Sequence, residues 1–314
     1  MSRRVAAGFT HAVGDGSVPS RVLPIAVVLV SAALWGLFWI PLRAFEARGL
    51  EPAWATLAQF ILPLFLLLPF AAWRAARGQS TGVAQITSGL LVGAAFVLYY
   101  QSLLLTEVVR ALLLFYITPI WGTALEAVFL RRKISPFRIA ALVCGVSGLL
   151  VILTSKGGLP VPQNAGDYMA LLSGFVFAVG ALRIRAMPEM AVFEHVFSFF
   201  LYGTVFALAM FLLPLAELGG APDWGVLARL MPWLLAVAGL FLIPVMWGLL
   251  WGAKHVDPGR LGILFQMEAV VGITSAAVLA NEPFGWAEAT ATCLIVGASV
   301  LDVFGNRPDD RAGS

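Results

Sequence analysis

A single carboxylate lies deep in an apolar stretch near the end of the chain. Glu268 is about eight residues inside the apolar run 259–280, or about 12 Å along a helix that rises 1.5 Å per residue. An ionisable group at such a depth is costly in lipid and is a candidate functional residue. A helix would place it on one face with Leu264, Phe265, Gly272 and Ser275. This apolar wall with one carboxylate suits an amphipathic substrate that has an amino group; the alternative is a glutamate that only locks helices together.

Aromatic rings occupy the middle of several apolar runs. They are Trp35, Phe38, Tyr99, Trp121 and Trp247. Their ring faces and polar ring atoms suit a pocket for an apolar group, but they suit lipid or interhelical packing as well. Both alternatives stay open.

Three glutamines also lie deep inside such runs: Gln59, Gln101 and Gln266. Their amides either orient a ligand or bridge helices. Gln266 and Glu268 point in nearly opposite directions on a helix, so both cannot face one cavity. The candidate substrate-binding residues are Trp35, Phe38, Gln59, Tyr99, Trp121, Trp247 and Glu268.

The residues that usually mark catalytic or metal sites are scarce. The three histidines show no metal-ligand spacing, and no HExxH, GxSxG or GxxxxGK motif occurs. Cys144 and Cys293 both lie inside apolar runs. The sequence therefore predicts no metal, no cofactor, no catalytic residue and no nucleotide-driven pump.

The composition identifies the environment in which these residues act. Of 314 residues, 60% are hydrophobic and 12% are charged, and the mean hydropathy is +0.91. Soluble domains carry about 25% charged residues, so this chain cannot cover a water-facing surface of its size. The pI of about 9.1 does not indicate nucleic acid, because the basic residues stand between apolar runs. The sequence predicts a protein of the lipid bilayer.

The apolar runs are long enough to span a membrane and too uniformly apolar for barrel strands. We predict an all-α integral membrane protein with ten transmembrane helices. A disordered cytoplasmic tail (1–21) precedes them and a second cytoplasmic tail (305–314) follows. The ten runs are 22–42, 52–73, 83–105, 108–130, 137–153, 167–182, 192–213, 230–251, 259–280 and 285–304.

The basic residues predict the orientation. With a cytoplasmic N-terminus, 15 of the 20 Lys and Arg residues fall in cytoplasmic segments and 5 in outer ones. The positive-inside rule therefore predicts an inner (plasma) membrane protein with both termini in the cytoplasm.

The two halves of the chain show weak, ordered similarity. Shifted by 150 residues, the stretch that starts at Arg110 lies over the stretch that starts at Arg260, with Gly122 over Gly272. This predicts two five-helix repeats, 22–153 and 167–304, joined by a linker (154–166). Because five is odd, the second repeat would be inverted relative to the first, as in many transporters. The alternative is chance similarity between apolar helices.

Four short motifs resemble those of one known family. Leu34–Phe38 reads Leu-Trp-Gly-Leu-Phe, and Tyr99–Tyr100, Thr118–Pro119 and Asn281–Pro283 follow in order. Together with the ten runs, they resemble the EamA-type drug/metabolite transporter superfamily over residues 22–304. The resemblance implies a ten-helix inner-membrane carrier, often an exporter of amino acids, and the aromatic-rich helices are most similar to aromatic amino acid exporters. The chain departs from the family at 130–133, where a Gly-Glu-Arg-like turn is replaced by Leu-Arg-Arg-Lys.

The sequence thus predicts a transporter that exports small amphipathic metabolites, above all amino acids, aromatic or of broad range. Transport would proceed by alternating access through a central cavity between the repeats, with proton coupling left open. The alternative is a membrane-embedded enzyme that acts on a lipid-linked substrate. An enzyme would need clustered acid, base or metal groups, whereas the sequence supplies isolated ones.

A few further residues carry structural predictions. Gly89-xxx-Gly93 and Gly248-xxx-Gly252 permit close helix contacts, either within the bundle or in a homodimer. Glu126 is predicted to form a salt bridge near the cytoplasmic face. Prolines are expected to interrupt four of the helices: Pro41, Pro63, Pro119 and Pro244.

Overall fold

The computed structural model describes ten segments of the chain: 22–50, 52–78, 83–106, 111, 114–131, 134–155, 162–186, 190–211, 223–279 and 284–305. The tail 1–21, residues 156–161 of the linker 154–166, the Asn281–Pro283 motif and nearly all of the tail 305–314 lie outside these segments. The principal helices are α1 (Val22–Trp35), α2 (Trp39–Glu46), α3 (Pro52–Ala76), α4 (Val83–Leu105), α5 (Thr118–Phe129), α6 (Pro136–Ser155), α7 (Ala165–Arg185), α8 (Val192–Phe211), α9 (Trp224–Val237), α10 (Ile243–His255), α11 (Pro258–Phe265), α12 (Met267–Leu279) and α13 (Trp286–Gly305). A π-helical segment, Ala238–Leu242, joins α9 to α10.

The described residues form helices and no strand, which confirms the all-α prediction. Two apolar helices among them are shorter, Ile86–Ser102 and Pro136–Val151. The runs predicted at 108–130 and 285–304 are helical over Thr118–Phe129 and Trp286–Gly305. Six stretches are long and apolar enough to cross a membrane: Val22–Phe45, Trp54–Ala76, Ala165–Arg185, Val192–Ala209, Trp224–His255 and Pro258–Leu279. The number of ten spans stays a prediction.

Three of the predicted prolines lie just after an irregularity in their helix. Turns at Gly36–Phe38 separate α1 from α2 and precede Pro41, and the π-helical segment precedes Pro244. Turns at Tyr116–Ile117 precede Pro119. Proline lacks an N–H, so the carbonyl four residues earlier loses its helical partner. Pro63, in contrast, lies inside the continuous helix α3.

The freed carbonyl before Pro119 finds another donor. Thr118 Oγ1 donates a hydrogen bond to the carbonyl of Phe115, which is the residue four positions before the proline. In a lipid environment such a local side-chain donor is needed because no water is available. The break at Gln266, between α11 and α12, has no proline in the next turn, and Gln266 N donates to Ile263 O at 3.2 Å.

Helices from the corresponding runs 108–130 and 259–280 pack against each other in opposite directions. A Cβ added to Gly122 of α5 would lie 2.9 Å from the backbone of Pro258 and Gly259, at the start of α11. One added to Gly262, further along α11, would lie 2.9 Å from Pro119, at the start of α5. The two helices are therefore antiparallel and nearly in backbone contact.

α6 and α13 are also antiparallel. Arg138, at the start of α6, donates from Nε to Asp302 near the end of α13 at 2.9 Å. Gly148, later in α6, faces Ala291, earlier in α13. The same relation therefore holds for two pairs of helices that are about 150 residues apart in the chain.

Both glycine pairs pack within the chain. Gly89 and Gly93 on α4 face α8, where a Cβ on Gly93 would lie 2.8 Å from the backbone of Gly203. Gly248 and Gly252 on α10 face α1, at Ser31 and Val28. These surfaces are occupied, so neither stripe is available for a homodimer in this arrangement.

Buried ion pairs gather at one end of the bundle. Arg138 donates from Nη1 to Glu126 and from Nε to Asp302, each at 2.9 Å, and Asp302 also accepts from Arg260 Nε at 2.5 Å. The predicted salt bridge of Glu126 is therefore confirmed, with Arg138 as its partner. A separate ion pair joins Arg74, at the end of α3, to Glu194, at the start of α8. This is the end that the orientation prediction places in the cytoplasm.

Candidate functional site

Aromatic side chains fill the centre of the bundle. Trp35 stacks on Phe38 with ring centroids 5.4 Å apart and meets Phe96 edge-on at 5.7 Å. Tyr99 packs on Phe115 at 4.5 Å. We call this cluster the aromatic core; its members are Trp35, Phe38, Phe60, Phe96, Tyr99, Tyr100, Phe115, Tyr116, Phe177, Phe199, Phe241 and Phe265.

Three helix breaks meet at this core. The first break is at Gly36–Phe38, directly after Trp35. The second is at Tyr116–Ile117, directly after Phe115, and the third is at Gln266, directly after Phe265. Broken helices point backbone groups and side chains into the space between them, as in the binding sites of many transporters.

Glu268 lies beside the third break and next to the first. A Cβ on Gly36 would lie 2.5 Å from the backbone oxygen of Glu268, so the two spans touch at this point. The Tyr116 hydroxyl approaches the Glu268 carboxylate without forming a well-aligned hydrogen bond, and Tyr99 and Tyr100 lie within its electrostatic range. Glu268 is half-buried and forms no ion pair with the described residues. The arrangement is a carboxylate bordered by phenols rather than by cations.

A narrow crevice with a volume of about 20 Å³ reaches the aromatic core from between the two halves of the chain. Phe38 and Gln59 line its first-half side, and Leu234, Val237 and Leu242 line its second-half side. Ligand sites measure roughly 300 to 1,000 Å³. The crevice holds about one water molecule in this arrangement, so a substrate would require its walls to move apart. Gln59 supplies one amide in an otherwise apolar lining.

Several buried polar atoms near this core have no hydrogen-bond partner among the described residues. They include the side-chain oxygens of Gln59, Gln101, Tyr100 and Tyr116. Buried polar groups are normally paired, so such atoms require a partner. A polar ligand that enters the core would provide one.

Five of the seven predicted site residues lie at the core or the crevice. Trp35, Phe38 and Tyr99 belong to the aromatic core, Gln59 lines the crevice and Glu268 adjoins the tyrosines. Their convergence is an observation about position. Their role in binding stays a prediction.

The remaining two predicted residues lie elsewhere. Trp247 is 39% exposed on the outer surface of α10. Trp121 meets Phe175 edge-on between α5 and α7. Each tryptophan directly precedes a glycine that faces a neighbouring helix, Gly248 and Gly122 respectively. A helix turns about 100° per residue, so each indole points away from that contact, and we leave both out of the proposed site.

The sequence reasoning missed most of the core. Tyr116, Phe96, Phe177 and Phe199 are buried in it and were not singled out. Only Tyr116 had a usable signal, since it precedes the Thr118–Pro119 motif and lies 150 residues before Gln266, the repeat shift. The three phenylalanines, on α4, α7 and α8, are indistinguishable in sequence from rings that face lipid.

Two other buried polar residues lie against neighbouring helices. Gln266 packs against Gly145 of α6, away from Glu268. His195 is buried with Nδ1 3.1 Å from Ser88 Oγ. Among the described residues, no group of three or more His, Cys, Asp or Glu side chains is arranged to hold a metal ion.

Comparison with known families gives two matches in tandem. The model of the EamA-like transporter family matches residues 22–154 and again residues 164–303. The two matches cover the two predicted repeats and leave the linker between them.

Curated relatives match nearly the full length. The biotin transporter of Escherichia coli (strain K12) is 23% identical over 288 residues, covering 88% of this chain and 91% of that protein. The probable biotin transporter of Pseudomonas aeruginosa is 24% identical over 266 residues, covering 81% and 88% respectively. The uncharacterized transporter YojE of Bacillus subtilis is 23% identical, covering 88% and 91%. One solved protein structure aligns with a TM-score of 0.68 at 20% identity, covering 92% of this chain and all of that one, which supports the fold alone.

Proposed function

The chain belongs to the EamA-like transporter family, and from this premise we propose that it exports a small amphipathic metabolite through a site between its two halves. The family and the relatives indicate a multi-pass inner-membrane transporter of small metabolites rather than an enzyme. The alternative of a membrane-embedded enzyme is therefore set aside.

The crevice between the halves carries this proposal. It leads from the gap between α3 and α9 to the aromatic core, where Phe38 stacks on Trp35 and on Phe241, the latter at 5.8 Å. Stacked rings bind the apolar part of a ligand, and Gln59 with the unpaired phenols binds its polar end. The substrate would enter here and be held at the core.

Alternating access between two inverted five-helix repeats is part of the proposal. Three observations support it: the tandem family matches, the antiparallel packing of corresponding helices, and helix breaks at Tyr116 and Gln266, one repeat shift apart. In this scheme the ten spans leave both termini on the same side of the membrane, and the distribution of basic residues predicts that this side is the cytoplasm. Reporter fusions to each terminus, which report the compartment by their activity, test the orientation.

An amino acid, aromatic or one of a broad range, is our first candidate substrate. Its side chain would stack in the aromatic core and its amino group would meet Glu268. Biotin is the second candidate, because relatives of similar length are named biotin transporters. Its polar ring would pair with amide and phenol groups such as those of Gln59 and Tyr100.

Counterflow in sealed proteoliposomes tests the function. Vesicles preloaded with one unlabelled compound are supplied with a trace of the labelled one, across aromatic, aliphatic and charged amino acids and biotin. We expect accumulation of an aromatic amino acid, reduced about tenfold by Trp35→Ala, since a stacked ring pair contributes about 0.5 to 1.5 kcal/mol beyond its buried area.

Trp247→Ala is the matched control, because this indole lies on the outer surface. It should leave the counterflow within about twofold of the wild type, with both variants equally folded by thermal unfolding. Equal losses in the two variants would contradict the proposed site. No counterflow with any compound would contradict the transport proposal.

A further inference from the structure

Phe38 is stacked with one ring from each half of the chain. The ring centroid of Trp35 lies 5.4 Å from that of Phe38, with an interplanar angle of 17°. The centroid of Phe241 lies 5.8 Å away, with an angle of 22°. Phe241 belongs to the π-helical segment between α9 and α10. The stack of Phe38 on Phe241 therefore joins the two halves at the aromatic core.

Both rings of this stack lie on backbone that departs from the regular α-helix. Phe38 is the last residue of the turns at the first break. Phe241 is inside a π-helical turn, in which Ile243 N donates to Ala238 O. Because Pro244 has no N–H, the carbonyl four residues before it also lacks its usual helical donor. π-helical turns are rare and are frequently found at functional sites.

The π-helical segment has few close contacts on two of its faces. Leu240 is 82% exposed on the outer surface of the bundle. A Cβ added to Gly239 would meet only Leu66 Cδ1 among the described residues, at an ordinary distance of 3.4 Å. A small displacement of this segment therefore meets little resistance on these faces.

The stack lies where a ligand would have to enter the core. Phe38 lines the crevice on the first-half side, and Leu242, directly after Phe241, lines it on the second-half side. The crevice holds about one water molecule, so a ligand that reaches Phe38 has to displace a side chain. Phe241 is the partly buried ring that already covers Phe38 from the second half.

We propose that Phe241 occupies the place of the substrate's ring in the empty transporter, and that an aromatic ring of the substrate replaces it on Phe38. The inference rests on the proposed function and specifies its substrate class, a metabolite with an aromatic ring. The exchange replaces one stacked pair with another, so Phe38 keeps a ring partner while the two halves separate at this point. An aliphatic side chain offers no such replacement.

Phe241 thus limits the affinity for the substrate as well as selecting its class. A substrate ring has to compete with a side chain that the chain itself holds at a high effective concentration. Removing this competitor strengthens the binding of an aromatic ligand, whereas removing part of an ordinary pocket wall weakens it. The sign of the change in affinity separates the two roles.

Binding of phenylalanine and of leucine to the purified full-length protein measures this sign, because the two ligands have the same amino and carboxyl groups. Phe241→Ala should lower the Kd for phenylalanine about two- to tenfold, the range that a stacked ring pair contributes. The Kd for leucine should stay within about twofold of the wild type. Phe241→Trp, whose larger ring competes more strongly, should raise the Kd for phenylalanine, and Phe38→Ala should raise it too because the receiving ring is lost.

Leu240→Ala is the matched control, because it changes the same π-helical segment on its outer surface. It should bind both ligands as the wild type does. Phe241→Leu keeps an apolar side chain without a flat ring and should also lower the Kd for phenylalanine, so the test does not depend on the folding of one variant. Thermal unfolding identifies the variants that fold.

Weaker, unchanged or undetectable binding of phenylalanine in folded Phe241→Ala and Phe241→Leu would overturn the inference and leave the proposed function intact. An equal gain for leucine would also overturn it, because the substitution would then only add space. Counterflow confined to compounds without an aromatic ring has the same consequence. Absence of counterflow for every compound would overturn both the inference and the proposed function.

Discussion

The contact between Gly36 and the backbone of Glu268 provides a sharp test of the proposed site. A Cβ at Gly36 would lie 2.5 Å from Glu268 O, 3.0 Å from Gly272 N and 3.1 Å from Val271 Cβ. The first two are backbone atoms and cannot rotate away. Restoring an ordinary contact of 3.4 Å requires α1 and α12 to separate by about 0.9 Å at the point where the carboxylate meets the tyrosines.

Gly36→Ala should therefore cost about 1 to 3 kcal/mol of stability, the usual range for overpacking. We expect counterflow to fall at least tenfold, since Glu268 moves with the displaced backbone. Thermal unfolding in detergent measures the first effect and proteoliposome counterflow the second. If α1 and α12 separate only locally, the variant remains folded, and the loss of counterflow is measured separately from the loss of stability.

Two glycines serve as controls for this substitution. Gly272 is on the opposite side of the same contact, but its added Cβ would meet only Gly36 O at 3.5 Å, an ordinary distance. Gly297, inside α13, would meet nothing within 4 Å. Gly272→Ala and Gly297→Ala should both retain most of the flux, and the latter should gain up to about 1 kcal/mol from helix propensity. Normal counterflow in Gly36→Ala would refute the close contact on which the site is built.

Two further predictions concern the buried ion pairs. Arg138→Met leaves both Glu126 and Asp302 without this cation and should lower the free energy of unfolding by about 3 to 5 kcal/mol. Arg260→Met leaves Asp302 paired with Arg138 and should lower it by less than half as much. Equal shifts in thermal unfolding would contradict the arrangement. Arg74→Gln leaves the buried Glu194 without its cation and should destabilise the chain more than the double variant Arg74→Gln/Glu194→Gln, in which no charge is left unpaired. If the effects of Arg74→Gln and Glu194→Gln on thermal unfolding simply add, the two side chains are not coupled.

The helices were largely predictable because their apolar runs are separated by charged, proline and glycine clusters. The predicted run 52–73 became Pro52–Ala76, and 192–213 became Val192–Phe211. The breaks were only partly predictable. Pro119 signals a break about one turn earlier, but Pro63 leaves its helix intact, and Gln266 breaks a helix with no proline nearby. Tertiary contacts decide these cases, and they are not encoded in any short segment.

The site was harder to predict than the fold for a specific reason. In lipid, the outer and inner faces of a helix are both apolar, so hydrophobic periodicity does not identify the inner face. Trp35 and Trp247 therefore read alike in sequence, yet the first is buried and the second is 39% exposed. Glycines carry the missing information, because they mark where helices touch. Gly248 faces α1, so the adjacent Trp247 cannot.

Irregular backbone marks the proposed site more clearly than polar side chains do. At membrane depth, a broken helix is tolerated only where it is buried in protein or lines a cavity, since its freed groups need partners. The breaks at Gly36–Phe38, Tyr116–Ile117 and Gln266 converge beside Glu268, whereas the ion pairs of Arg138 and Arg74 lie at one end of the bundle. The breaks come from both halves, and two of them are one repeat shift apart. In the proposed alternating-access scheme, a shift of one half against the other would therefore change the spacing of these breaks and reshape the walls of the proposed site.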